Sequence, residues 1–435
     1  RNLLALDEAE LRKIRGSKIA MIFQEPMTSL NPLHTVGKQI AEVFKLHNGT
    51  ASKKQIIELL KLVELQDFER VYGSFPHELS GGQRQRVMIA MTLAGKPDIL
   101  IADEPTTALD VCVQAQILEL LKILQQKLGL AVLFITHDLN IVRKMADRLY
   151  VMRSGQIIST HLPPEKTETI RQFTEAQGKP VIDVKALTVQ YGSFKAVDKA
   201  TFQLYQGQTL GIIGESGSGK SSLAYGLMRL IPATGKVLLN GDDFFALKGK
   251  ALTSARANIQ MVMQDPAGSL NPRLTIFEII EEGLSVHFPK LTKEERAQKV
   301  KAILKAVDLR PNILERYPHE ISGGQKTRVA LARVLILNPR VLVLDEVTAS
   351  LDINTQKQLV DLLLRLQKRY KLVYIFITHD IKLMRLIADN LLVMKSGRVV
   401  EQGPAQALIE HPKQPYTTKL MKAGLLHINL YRVPL

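Results

Sequence analysis

The octet Gly214-Glu215-Ser216-Gly217-Ser218-Gly219-Lys220-Ser221 has the spacing G-x-x-x-x-G-K-S. It stands between an apolar run, Thr209 to Ile213, and a segment of helical periodicity that begins at Ser221 and continues through Ser222. Glycines at these positions let the backbone wrap an anion, so that N–H groups and the positive end of the following helix face phosphate oxygens. Lys220 is spaced to reach the β and γ oxygens of a nucleotide, and the Ser221 hydroxyl to ligate Mg2+. Two apolar runs, Ile99 to Ala102 and Val341 to Leu344, end in paired acids, Asp103-Glu104 and Asp345-Glu346. A buried strand would deliver both to its carboxyl end, the first acid to hold Mg2+ and the second to orient or deprotonate an attacking water. Ser80-Gly81-Gly82-Gln83 and Ser322-Gly323-Gly324-Gln325 each precede a helical pattern. A serine there caps the helix, and the free N–H groups and dipole behind it suit the γ-phosphate of a nucleotide held by another domain. His137 and His379 follow apolar strands and precede an aspartate, a place for sensing a γ-phosphate or steering a proton. Gln24 and Gln264 end strands where an amide can meet both Mg2+ and the water. Tyr191, 23 residues before Gly214, offers a π-face for adenine. Cys112, close after Asp110, reads as a plain small residue.

These residues occur in a long internal repeat. Phe75 to Gln83 returns as Tyr317 to Gln325, Asp103-Glu104 as Asp345-Glu346, and Thr136-His137-Asp138 as Thr378-His379-Asp380, all at an offset of 242. Phe23 to Pro26 and Ser29 to Pro32 return at an offset of 240. A repeat this long is a domain. The first domain is expected over 1–161, a linker rich in proline, threonine and charge over 162–180, and a second domain over 181–435. The counterpart of 181 to about 240 has no match in the first domain, which is therefore expected to be truncated at its N-terminus. Within the second domain the pattern predicts a strand over Thr209 to Ile213, the glycine loop, and a helix from Ser221. A mostly helical stretch from Ile276 to Val307 and a helix from Gly324 follow, then a strand over Val341 to Leu344, a helix over Thr355 to Tyr370 and a strand over Leu372 to Ile377. Apolar strands alternating with helices give an α/β fold with a parallel sheet and a helical insertion. The apolar segments after Gln24 and Gln264, Leu33 to Phe44 and Leu274 to Leu284, are expected to offer a helical docking surface to a partner helix.

The chain has 435 residues, 46% of them hydrophobic and 23% charged, within the range of folded globular domains. It contains no apolar run of 18 residues, and its single cysteine excludes an intrachain disulfide framework and a cysteine-rich zinc site. The net charge of +16 favours an anionic partner without choosing among nucleotide, nucleic acid and acidic membrane surface.

Taken together, the motifs resemble those of ATP-binding cassette ATPases, two cassettes in tandem. The resemblance makes Gly214 to Ser221 the Walker A loop, Asp345 and Glu346 the Walker B acids, Gln264 the Q-loop, and Ser322 to Gln325 the signature. It makes Ser350-Leu351-Asp352 the D-loop and His379 the switch histidine. The first cassette is matched at Gln24, Ser80 to Gln83, Asp103, Glu104, Ala108-Leu109-Asp110 and His137. The finer resemblance, carried by Glu25 to Pro32, Ala102 to Val111 and the tail around Pro415-Tyr416-Thr417, is to bacterial dipeptide, oligopeptide and nickel importers, especially fused forms of the microcin C and oligopeptide type. Val347, Lys326-Thr327 and the absence of a tail cysteine cluster depart from that pattern.

The resemblance implies ATP and Mg2+ as cofactors, hydrolysis coupled to import, and a peripheral place on the cytoplasmic face of the bacterial inner membrane. Implied partners are two integral membrane permease subunits and a periplasmic or extracellular substrate-binding protein. The cassettes would pair head to tail within one chain, with Ser80 to Gln83 and Asp110 sharing the nucleotide bound at Lys220 and Ser221. The competing reading is a ribosome-associated or nucleic-acid-bound tandem ATPase, which the positive charge would suit. The short linker and the lack of a coiled coil between Lys220 and Ser322 favour the importer, with no nucleic acid expected. Peptide is the expected substrate, nickel or glutathione the alternatives.

Overall fold

The computed structural model describes residues 2–23, 29–47, 49–106, 111–136, 138–153, 155–161, 178–349, 351 and 353–425. The chain divides into two units, Arg1–Glu165 and Lys166–Leu435.

The first unit carries a parallel sheet of three strands, β1 (Ile19–Ile22), β2 (Ile99–Asp103) and β3 (Ala131–Ile135), in spatial order β1-β2-β3, and a hairpin of β4 (Val151–Arg153) and β5 (Gln156–Ser159). The helices Val36–His47, Lys53–Leu62 and Gly81–Ala94 enclose a core that includes Ile40, Ile56, Leu60, Val87, Ile89 and Leu100.

The second unit has two sheets. Strands β6 (Ile182–Tyr191), β7 (Phe194–Leu204), β9 (Ala233–Leu239) and β10 (Asp242–Asp243) form an antiparallel sheet ordered β10-β9-β6-β7. The central sheet is ordered β11-β12-β13-β8-β14-β15. Its strands are β8 (Thr209–Ile213), β11 (Ile259–Val262), β12 (Val341–Asp345), β13 (Val373–Ile377), β14 (Asn390–Lys395) and β15 (Arg398–Pro404). All but the edge pair β14 and β15 run parallel to their neighbours. Every residue of β8, β12 and β13 is buried, as continuous apolar runs in a covered parallel sheet require.

The helical insertion begins with Ile276–His287, fixed by a capping box in which the Thr275 N–H donates to Glu278 Oε2 at 2.8 Å and the Glu278 N–H to Thr275 Oγ1 at 3.3 Å. Ile276, Ile279, Ile280 and Leu284 form one buried stripe at helical spacing, and the helix packs on Gly323–Leu335. The apolar face expected to receive a partner helix is thus used internally. What the insertions leave exposed lies near their ends: Leu33 and Leu46 in the first unit, Val286 and Phe288 in the second. Among the described residues no helix is long and apolar enough to cross a membrane.

Candidate nucleotide site

The parallel register brings the acids to the glycine loop. Asp345 pairs with Ile377, and Ile377 with Ile212, so the carboxyl end of β12 lies level with the end of β8, where the loop begins. The loop leads into the helix Lys220–Leu227, with Ser222 on its first turn. Gly219 has φ +102°, and a Cβ there would lie 2.2 Å from the Ala196 carbonyl oxygen, so only glycine fits. Lys220 is buried and its ammonium donates to the Gly214 and Glu215 carbonyls, both at 2.9 Å. Ser216 and Gly217 are exposed at the loop tip. Ser218 Oγ is buried with no hydrogen-bond partner.

Ser221 Oγ donates to Asp345 Oδ1 at 3.4 Å, while Asp345 Oδ2 is buried without a partner. Burial pushes the Asp345 carboxyl up to about 6, opposed by Ser221 and Lys220 and reinforced by the charge of Glu346. A hydroxyl and a carboxylate with an unsatisfied oxygen suit a hard cation. Among the described residues no group of three or more His, Cys, Asp or Glu is assembled for a metal.

Glu346 stands between two partners. Gln264 Nε2 donates to Glu346 Oε2 at 2.9 Å, and His379 Nδ1 lies 3.6 Å from Glu346 Oε1. The histidine holds the Glu346 carboxyl below its ordinary range in spite of burial, with Lys220 and Gln264 adding to the effect. Burial pulls His379 down, but the carboxylates of Glu346 and Asp380 outweigh it and raise the imidazole. The next residue, Asp380, caps the helix Ile381–Ile387 by accepting from the Lys382 and Leu383 N–H groups at 2.9 and 3.1 Å. A carboxylate kept ionised between an amide and an imidazole is suited to hold a water and accept its proton.

The two serine-glycine turns are alike. Ser322 Oγ accepts from the Gln325 N–H at 3.4 Å and Ser80 Oγ from the Gln83 N–H at 3.3 Å, with each glutamine reaching back to its serine's N–H at 3.0 Å. Both serines and the glycines after them, Gly81 and Gly323, are exposed at helix N-termini. A Cβ on Gly82 would lie 2.7 Å from Val113 and one on Gly324 2.8 Å from Thr355, so the second glycine admits the neighbouring helix.

The sequence profile of the ABC transporter family matches residues 3–107 and 197–349. The peptidoglycan transport ATP-binding protein YejF of Agrobacterium fabrum is 46% identical over 455 residues, covering 98% of this chain and 83% of that protein. The chain belongs to the ABC transporter family. The glutathione import ATP-binding protein GsiA of Salmonella typhimurium is 40% identical over 473 residues, covering 96% of this chain and 76% of that protein. Among solved structures, cbiO1 from Clostridium perfringens, part of the ABC transporter complex cbiONQ, aligns with a TM-score of 0.50 and 28% identity over 58% of this chain and 96% of that one. The α/β cassette fold expected from the sequence is the fold of this family, and its chemistry is ATP hydrolysis.

Of the residues expected to meet in this ABC ATPase, Lys220, Ser221, Asp345, Glu346, Gln264 and His379 do so. Gln264, expected against the metal, donates its amide to Glu346 and leaves its carbonyl oxygen for other use. Tyr191 ends β6 half exposed, opposite the exposed Phe194. Asp103 is the last residue of β2 and Glu104 follows it, as Asp345 and Glu346 do at the end of β12. Gln24, Asp110, His137, Ser350 and Asp352 lie outside the described residues. Val347 is buried, and Thr327 turns its hydroxyl onto the Gly323 carbonyl at 3.2 Å. Sequence reasoning missed Tyr225, one helical turn after Ser221, whose hydroxyl is raised by burial and by the charges of Asp345 and Tyr191. The i, i+4 spacing from Ser221 was the signal for it. It also missed the Glu346 and Glu104 backbones, which have φ +48° and +45°. No spacing rule signals those, because both are non-glycine residues in left-handed geometry.

Proposed function

We propose that this chain is the ATP-hydrolysing subunit of an importer for peptides or peptide-like molecules, made of two cassettes in tandem. The observation that carries the catalytic part is the convergence, at the carboxyl ends of the central strands, of Lys220, Ser221, Asp345 and Glu346, with Gln264 and His379 bonded or paired to Glu346. The names of the relatives, which concern peptidoglycan transport and glutathione import, support the substrate class. Lys220 leaves its loop carbonyls for the β and γ oxygens, the loop residues from Glu215 to Ser222 line the phosphates, and Tyr191 stacks on the adenine. Ser221 and Asp345 hold Mg2+, with Gln264 near it; when bound, the ion neutralises charge on the phosphate oxygens. Glu346 orients the water and takes its proton, and His379 fixes the carboxylate and meets the γ-phosphate. In the first cassette Glu104 and His137 take the corresponding roles. The cassettes pair head to tail, so that Ser80, Gly81, Gly82, Gln83 and Asp110 close the nucleotide at Lys220, while Ser322, Gly323, Gly324 and Gln325 serve the second site. Partners are two permease subunits and a substrate-binding protein, with the chain peripheral on the cytoplasmic face of the membrane.

Two substitutions test the division of labour. Glu346→Gln is expected to keep MgATP binding within a few fold and to slow turnover by on the order of 10² or more, as removal of a general base does. Lys220→Ala is expected to weaken binding itself. Calorimetry and phosphate release, run on both variants, decide the matter, and equal loss of binding in the two would contradict these roles. For the substrate, uptake of labelled peptide by vesicles holding the matching permeases and binding protein should require both ATP and an intact Glu346.

A further inference from the structure

We propose that Tyr416, in the C-terminal helix, is a positioning residue for the phosphate loop, acting through the Gly214–Glu215 peptide on Lys220. This rests on the reading of Gly214 to Ser221 as the nucleotide loop. The Glu215 N–H donates to Tyr416 Oη at 3.1 Å, and the carbonyl of the same peptide group, that of Gly214, accepts from the Lys220 ammonium at 2.9 Å. One peptide group is therefore bonded at both ends, through its carbonyl to Lys220 and through its N–H to the tail. Hydrogen bonds in such a chain polarise and orient one another. Removing the tyrosine hydroxyl frees the plane to rotate and with it the resting place of the ammonium.

The tail is built to hold that hydroxyl in place. The helix Pro415–Leu425 buries Thr417, Leu420 and Met421 and packs on Ile381–Ile387, the helix that begins two residues after His379. Before it, the Lys413 and Gln414 N–H groups donate to the two oxygens of Glu401 on β15, at 2.9 and 3.1 Å. Lys395, at the end of β14, places its ammonium 4.8 Å from the centroid of the Tyr416 ring. The turn after β14 also touches the loop directly, because the Gly397 N–H donates to the Ser218 carbonyl at 3.0 Å. The loop is thus held at Ser218 by the sheet's own hairpin and at Glu215 by a side chain 201 residues away in sequence.

Tyr416→Phe in the full chain removes the acceptor and keeps the ring. Loss of one net hydrogen bond that preorganises the loop is expected to weaken MgATP binding by about 3- to 10-fold in calorimetry. Turnover at saturating MgATP is expected to stay within about twofold, because the hydroxyl contacts neither Glu346 nor Asp345, and this split of KM from kcat separates positioning from general destabilisation. Amide hydrogen exchange in the nucleotide-free chain supplies the local readout, with faster exchange at Glu215 and unchanged exchange in β12 and β13. Binding equal to that of the unsubstituted chain, or weaker binding without faster exchange at Glu215, overturns the assignment. Lys220→Ala, measured alongside, isolates the underlying reading: if that variant binds MgATP normally, it is the phosphate-loop assignment that fails.

Discussion

Asp345 shows how a buried acid weighs on the fold that carries it. Its side chain is fully buried, one oxygen lacks a partner, and burial raises its carboxyl to about 6 from an ordinary 3.8. Because the folded value lies above the unfolded one, the charge costs nothing below about pH 4, costs progressively more between about 4 and 6, and costs its full amount above 6. The difference corresponds to about 3 kcal/mol. Asp345→Asn keeps an oxygen that can accept from Ser221, so nucleotide-free protein carrying it is expected to melt several degrees higher at pH 8 and close to the unsubstituted chain at pH 4. The same variant should lose Mg2+-dependent ATP binding. Thermal melts at the two pH values check the sign, and a variant less stable than its parent at pH 8 would mean that the carboxylate is not strained. At this scale the sequence was legible wherever chemistry depends on neighbours along the chain, as in Gly214 to Ser221 or the capped Ser322 and Gln325. It was legible as a constellation, without contacts, for Gln264, Glu346 and His379. It marked Tyr416 only as part of the tail's resemblance and was silent on its bond to Glu215, which only folding creates.

Among the elements, the two parallel sheets offer an internal comparison. Strands β3 and β13 occupy equivalent places in the repeat, yet Leu133 and Ile135 are 54% and 44% exposed while Ile375 and Ile377 are fully buried. The physical reason is on the far side of each strand. Strand β13 is flanked by β8 and shares its core with the helix Lys220–Leu227, whereas β3 has a single strand neighbour among the described residues. Truncating a side chain in a sealed core leaves a cavity, but at an exposed position water fills the space. Ile375→Ala is therefore expected to destabilise the second unit by about 2–5 kcal/mol, and Leu133→Ala the first unit by less than about 1 kcal/mol. Denaturant unfolding followed by amide exchange in each unit distinguishes them, and a large loss for Leu133→Ala would show that β3 is covered in solution. The apolar runs themselves announced these strands in the sequence. Which face would be covered was not legible, because a run of Ala, Val, Leu, Phe and Ile reads the same in the middle of a sheet and at its edge.

At the scale of the whole molecule, the question is whether the two units act on one nucleotide. Ser80 and Ser322 are capped alike and exposed alike, so their own bonds do not rank them as ligands. The head-to-tail proposal does rank them, since it assigns Ser80, in the first unit, to the nucleotide held by Lys220 and Ser221 in the second. Ser80→Arg puts bulk in front of the helix N-terminus of Gly81–Ala94 and removes the capping hydroxyl, while Gly214 to Ser222 in the second unit are unchanged. If the N–H groups of that helix stabilise charge developing on the γ-phosphate, turnover should fall by on the order of 10², the scale of losing one preorganised anion-stabilising group. MgATP should still bind, because Lys220 and Ser221 are intact. Phosphate release and calorimetry on the same preparation read the two quantities. Turnover that survives Ser80→Arg but is lost in Ser322→Arg would assign the nucleotide at Lys220 to a different pairing, one made between chains or within the second unit alone.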